Sequence, residues 1–109
     1  MAHYLFQAAY TSEAWAAQVK NPQNRIDVVR PVIERLGGRI ECAYLAFGEY
    51  DLIGIVEMPD NVSAAAFSCA GSAGGGLKAV KTTPLLTIDE GIEAMKKAAG
   101  AGYRPPARS

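Results

Sequence analysis

The sequence has few of the residues that metal centres and disulfide frameworks require. It contains two cysteines, Cys42 and Cys69, and a single histidine, His3, among 109 residues. The cysteines lie far apart and have no metal-ligand spacing, so we expect reduced thiols in a cytoplasmic protein. We accordingly expect no metal and no cofactor.

Net charge and long apolar runs are also missing. Eleven basic and eleven acidic residues cancel, so no basic field favours nucleic acid or an anionic membrane surface. No apolar run approaches the length of a membrane span, and the N-terminus lacks a signal-peptide pattern. Glycines 74–76 are followed by Leu77 and Lys78 and make no phosphate loop. The length predicts one domain, residues 1–99, with a tail, residues 100–109.

Four apolar segments predict strands. Residues 3–10 and 52–58 are apolar on both sides, which is typical of strands at the centre of a sheet. Residues 39–46 and 77–86 predict edge strands. They carry the charges and the proline that edge strands use: Glu41, Lys78, Lys81 and Pro84.

Helices are predicted at residues 14–20, 24–36, 63–70 and 92–98. The first follows N-cap candidates at residues 11–13. Pro31 lies inside the second, so we expect a bend or a restart there. The third consists of small residues, with Phe67 as its expected anchor on the sheet. Residues 71–76 are predicted to be a flexible connector.

The order β-α-β-β-α-β predicts an α+β, ferredoxin-like sandwich with an added C-terminal helix. Helices can cover only one face of such a sheet. The other face would expose apolar side chains drawn from Leu5, Ile53, Ile55 and Leu45, or from their alternates. Because a monomer rarely exposes so much apolar surface, we expect a homodimer, or a higher homo-oligomer, with sheets packed face to face.

The turn Gly48-Glu49-Tyr50-Asp51, followed by the apolar strand and by Met58-Pro59-Asp60, resembles the GYD-domain family of small uncharacterised proteins. The resemblance extends over most of the chain. It implies a dimeric α/β barrel and brings no activity. The turn is also similar to that of the effector-sensing domains of leucine-responsive-type regulators, where it lies near an oligomer interface that binds amino acids. No helix-turn-helix segment accompanies it here.

The same turn supplies the first candidate site. Tyr50 and Asp51 could act as a donor–acceptor pair at the mouth of a pocket between sheet and helices. The structural alternative assigns Gly48 a positive φ in a tight hairpin and makes Asp51 an acceptor of backbone N–H groups.

Three further side chains could contribute to a ligand site. Tyr10 and Tyr44 could line a pocket with their hydroxyls, although aromatic strand residues are more often core. His3 could be a general base or a solvated strand residue.

Two classes of function follow. The first is a homodimeric module that binds or senses a small molecule, and the second is a cofactor-independent isomerase or monooxygenase. Convergence of His3, Tyr50 and Asp51 in one cavity would favour the enzyme, whereas a pocket across the subunit boundary would favour the sensor.

Overall fold

The computed structural model describes residues 1–107. The protein has an α+β fold. Its elements are β1 Ala2–Tyr10, α1 Ser12–Lys20, α2 Arg25–Arg35, β2 Arg39–Leu45, β3 Leu52–Met58, α3 Asn61–Ala73, β4 Leu77–Leu85 and α4 Ile88–Ala99. No helix within the described range is both long and apolar enough to cross a bilayer.

The four strands form one antiparallel sheet in the order β2-β3-β1-β4. This order confirms the predicted ferredoxin-like fold, with β1 and β3 at the centre and β2 and β4 at the edges. In β1, His3 pairs with Glu57 of β3 and with Leu85 of β4. The pairing of β2 shifts register between Ile40 and Cys42, which marks a β-bulge in that edge strand.

The helices α1, α2 and α3 cover one face of the sheet, and the core lies beneath them. Side chains of β1 alternate: Tyr4 and Phe6 are buried, whereas Leu5 between them is half-buried on the opposite face. On the helical side of this core, α2 contributes Ile33 and α3 contributes Phe67. The ring centroid of Phe67 lies 4.7 Å from that of Phe6. Phe67 is therefore the anchor that the sequence predicts.

The first helix starts at one of its predicted cap candidates, and the second is capped by Asn24, where its predicted helical pattern begins. The side chain of Thr11 accepts a hydrogen bond from the backbone N–H of Ala14, and that of Asn24 accepts one from Ile26. Of the alternatives at Pro31, the restart does not occur, because α2 continues through Pro31 as one helix.

Two boundaries in the C-terminal half differ from the predictions. Helix α3 continues to Ala73, so Gly71 is helical and the flexible connector shortens to residues 74–76. Helix α4 begins at Ile88 rather than at residue 92. It starts early because Thr87 and Glu90 form a capping box, in which each side chain accepts a hydrogen bond from the other residue's backbone N–H.

In the part of the chain that the structure describes, no helix covers the second face of the sheet. We call it the open face; its residues on the two central strands are His3, Leu5, Gln7, Ile53, Ile55 and Glu57, all half-buried. The prediction for Leu45 is wrong in one respect: it pairs with Leu52, which belongs to the covered face.

Helix α4 does not pack against the sheet or the other helices of residues 1–107. None of its residues is buried. The radius of gyration is 17.7 Å, against about 13 Å for a compact domain of this length. This elongation agrees with a helix and a tail that extend beyond the sheet.

Candidate functional site

A cavity of about 510 Å³ lies between the covered face and the helices α1, α2 and α3. We call it the helix–sheet cavity. Its walls include Phe6 of β1, Val29 of α2, Leu52 of β3 and Phe67 of α3. Its volume falls within the roughly 300–1,000 Å³ typical of small-molecule sites, and apolar walls are usual for such sites.

Small side chains on two helices leave this space unfilled. Helix α1 presents Ala14 and Ala17, and α3 presents Ala70 and Gly71. Alanine and glycine cannot reach across from a helix to the sheet, so the cavity follows from the small-residue composition noted in the sequence.

Polar groups enter the cavity at one side. Arg25 occupies the first position of α2 and is half-buried, and Tyr10 ends β1 and is buried. Burial raises the pKa of the Tyr10 hydroxyl above its usual value; the neighbouring Arg25 guanidinium opposes that shift and the Asp51 carboxylate adds to it. The hydroxyl is therefore protonated at neutral pH and can donate a hydrogen bond.

The position of Arg25 is unusual for a cation. The first turn of a helix carries the positive end of the helix dipole, which disfavours a positive side chain. Because Asn24 caps α2 immediately before it, Arg25 is held in that turn. An anion beside Arg25 would experience both the guanidinium and the dipole.

Asp51 connects the β2–β3 hairpin to the end of β1 and to α1 through hydrogen bonds. Its Oδ2 accepts hydrogen bonds from the backbone N–H of Tyr10 at 2.9 Å and from Nε1 of Trp15 at 3.2 Å. Its own N–H donates to the carbonyl of Ala8 at 2.8 Å, and the Tyr10 and Trp15 rings pack edge to face at 5.4 Å. These contacts agree with the structural interpretation of Asp51.

The other predicted residues occupy separate places. Tyr50 is half-buried in the hairpin, and exposed Tyr44 lines a second cavity beside β2. Gly48 is exposed, and the positive φ expected of it is wrong, since among residues 1–107 the positive φ values belong to Gly37, Gly75 and Gly102. A side chain at Gly48 would meet no atom within 4 Å, because the loop turns through six residues rather than tightly.

His3 lies on the open face, far from the hairpin. Ala8, which contacts Asp51, lies five positions further along β1, which corresponds to about 17 Å along an extended strand. The structure thus brings Tyr10 and Asp51 together but does not bring His3 to them.

On the open face His3 belongs to a charged cluster with Arg39, Glu41 and Glu57. The His3 Nδ1 lies 2.6 Å from Glu41 Oε1, and its Nε2 lies 3.7 Å from Glu57 Oε1. Nε of Arg39 donates a hydrogen bond to Glu57, which lowers the pKa of that carboxyl. Within residues 1–107, His3, Glu41 and Glu57 are the group whose geometry could hold a metal ion. The two carboxylates already contact His3, and Glu57 also pairs with Arg39.

Arg25 and Gln18 are cavity residues that the sequence did not single out. One signal could have pointed to Arg25, namely a cation directly after the helix cap Asn24. Gln18 gives no such signal, because a glutamine on an amphipathic helix is ordinary.

Comparison with solved structures shows the same fold. The crystal structure of TTHA0845 from Thermus thermophilus matches with a TM-score of 0.52 and 16% identity, covering 80% of this chain and 95% of that one. The hypothetical protein PHS023 from Pyrococcus horikoshii matches with a TM-score of 0.50 and 16% identity, covering 80% and 92%. Identities this low show similarity of fold alone.

Sequence comparison gives a family. No curated protein matches the chain. The family model of the GYD domain matches residues 4–95, which include nearly the whole sheet and the first three helices. The match agrees with the Gly-Glu-Tyr-Asp turn at residues 48–51, and this chain belongs to the GYD-domain family.

Proposed function

We propose that the protein is a homodimeric module that binds a small organic acid in the helix–sheet cavity. The observation that carries this proposal is a largely apolar cavity of about 510 Å³ whose lining contains one charged side chain, Arg25. A ligand with an apolar body and one carboxylate matches that lining.

The recognition rests on two donors. The Arg25 guanidinium can hold a carboxylate through two parallel N–H···O bonds, which fixes orientation as well as charge. The Tyr10 hydroxyl, which is protonated at neutral pH, can donate a third bond. Apolar side chains such as Val29 and Leu52 would then enclose the body of the ligand.

The dimer part of the proposal rests on the open face. Leu5 and Ile55 pair across the two central strands, and Ile53 lies two residues from Ile55 on the same side. Two copies packed through these residues would remove the apolar surface from water.

Sedimentation equilibrium tests this dimer with Ile55→Asp, matched by Val19→Asp on exposed α1. We expect the Ile55 variant to be monomeric and the Val19 variant to behave as wild type. A wild-type protein that is monomeric at micromolar concentration would contradict the dimer.

The alternative, a cofactor-independent isomerase or monooxygenase, has less support. It requires His3, Tyr50 and Asp51 to converge. His3 is instead paired with carboxylates on the open face, and Asp51 is engaged by Tyr10 and Trp15. Fold similarity to other barrels would be the remaining argument, and fold does not determine chemistry.

A ligand screen tests the binding proposal directly. Small carboxylates, amino acids and aromatic acids are added to wild type, to Arg25→Gln and to a matched control, Arg35→Gln, in the last turn of the same helix. A ligand that binds the folded state raises its melting temperature.

We expect an acid to stabilise wild type and Arg35→Gln alike. Its affinity for Arg25→Gln should fall about tenfold or more, because a hydrogen bond to a charged group contributes about 1.5–3 kcal/mol. Equal binding to both variants, or no stabilisation by any acid, would refute the proposed site.

A further inference from the structure

Helix α4 carries an apolar surface that no other part of residues 1–107 covers. Ile88 is 82% exposed, Met95 is 65% exposed and Ile92 is also exposed. The capping box nevertheless defines the start of the helix. A helix of 12 residues is marginal in water without a packing partner, so its apolar side needs another surface.

The apolar side has the spacing of a helix–helix seam. We call Ile88, Ile92, Met95 and Ala99 the α4 stripe; they follow one another at intervals of four, three and four residues. This is the heptad spacing that two packed helices share. A lone surface helix in contact with a sheet needs no such narrow seam.

The charges beside the stripe indicate which helix fits it. Asp89 and Lys96 each follow a stripe residue and lie along one side, while Gly91 and Ala98 each precede one and lie along the other. In an antiparallel pair of identical helices, each side faces the same side of the partner. Asp89 would then oppose Lys96 of the second copy, twice by symmetry.

The other side of the stripe favours the same arrangement. Gly91 would oppose Ala98 of the second copy, and such small residues let two helix axes approach closely. A parallel pair would instead bring the acidic first halves together and the two lysine-bearing ends together, which like-charge repulsion and parallel helix dipoles both disfavour.

We propose that α4 pairs in antiparallel orientation with α4 of a second copy of this chain. Three large apolar side chains from each helix make a contact smaller than the ~1,200 Å² of a stable specific interface. The α4 pair therefore adds to another contact between copies or forms a weak contact of its own. It uses no residue of the open face, so it can fail or hold independently of the sheet-to-sheet dimer.

Sedimentation equilibrium gives the first test. Ile92→Asp/Met95→Asp disrupts the centre of the stripe, and Val19→Asp places an acid at another exposed apolar position, on α1. We expect the self-association constant to fall at least tenfold for the α4 variant and to stay unchanged for the control. An unchanged constant in the α4 variant, or an equal loss in the control, overturns the proposal.

Cross-linking tests the orientation in a background without native cysteine, Cys42→Ala/Cys69→Ser. Asp89→Cys and Lys96→Cys are prepared separately, oxidised alone and then oxidised as a mixture. The antiparallel pair predicts a disulfide-linked dimer in the mixture that contains one chain of each kind. Cross-linking of either variant with itself alone, or no mixed dimer, overturns the proposal. Circular dichroism confirms that each variant folds.

Discussion

Helices α3 and α4 have nearly equal lengths, 13 and 12 residues, and each is N-capped by the residue before it. Helix α3 contains no charged side chain and packs on the sheet through Ala64 and Phe67. Helix α4 has the clearer amphipathic pattern, yet none of its residues is buried. An amphipathic pattern thus states which side of a helix needs cover, and it does not state whether the same chain supplies that cover.

The geometry of the sheet explains the difference. Four strands at about 4.8 Å spacing give a surface that two rows of helices, each about 10 Å wide, already fill. The α1–α2 row and α3 occupy those positions before α4 is reached. Helix α4 follows an edge strand and has no free place on the covered face.

The largest expected difference between α3 and α4 is in the free energy of unfolding that is lost when an apolar side chain is truncated. Phe67→Ala should lower the free energy of unfolding by about 3 kcal/mol or more, because it opens space in the core. Ile92→Ala, measured at a concentration where the protein is monomeric, should change it by less than about 0.5 kcal/mol. Urea unfolding followed by circular dichroism measures both. A cost for Ile92→Ala comparable to that for Phe67→Ala would mean that α4 packs within its own chain.

Removal of the N-cap side chain should give a smaller difference in stability between α3 and α4. Asp60 accepts a hydrogen bond from the Ser63 N–H at 2.8 Å, and Thr87 accepts one from Glu90 at 3.1 Å. Asp60→Ala should lower global stability, though by less than Phe67→Ala, while Asp60→Asn, which keeps the acceptor, should lower it less. Thr87→Ala should leave global stability unchanged and reduce hydrogen-exchange protection in α4 alone. Loss of protection throughout the sheet would contradict this separation.

The smallest expected difference between α3 and α4 is in their stability at acidic pH. Hydrogen bonds from the Ser63 backbone and side chain lower the pKa of Asp60, and hydrogen bonds from Thr87 lower that of Glu90. Because each pKa is lower in the folded state, the stabilisation is complete above the ordinary value near 4 and is lost as pH falls through the folded value. We expect α4 to unwind below about pH 4 while α3 persists until global unfolding. An NMR titration of carboxyl and amide signals measures this, and simultaneous loss of both helices would argue against it.

Much of the sheet could be predicted from the sequence, because a buried strand has a recognisable run of apolar residues. Residues 52–58 are apolar on both sides, and this alone placed β3 at the centre. The start of α4 could also have been read, since Thr87 and Glu90 have capping-box spacing. The extension of α3 through Gly71 could not, because a glycine after a run of small residues normally indicates the end of a helix. In the structure Gly71 lies within the helix and close to Leu77, so that an added Cβ would be 3.3 Å from the Leu77 side chain.

The cavity was largely hidden from sequence analysis. Tyr10 was predicted as a pocket residue and lines it, whereas Tyr44 and His3 lie elsewhere. The position of Arg25 depends on how α1 and α2, joined by residues 21–24, pack over the sheet, and this tertiary packing has no periodic signature in the sequence. The expected positive φ of Gly48 failed because the hairpin loop is longer than a tight turn requires.

The pairing of His3 with Leu85 has a topological consequence. Strands β1 and β4 are antiparallel neighbours, so the beginning of the first strand lies beside the end of the last. A short turn could join these two points and new ends could be opened between Gly48 and Glu49, where both residues are exposed. Asp51 would lie near the new N-terminus, and its hydrogen bonds to Tyr10, Trp15 and Ala8 would be kept. Such a circular permutant would keep all three pairings between strands, but it would lack α4, because the joined chain omits the residues after Leu85.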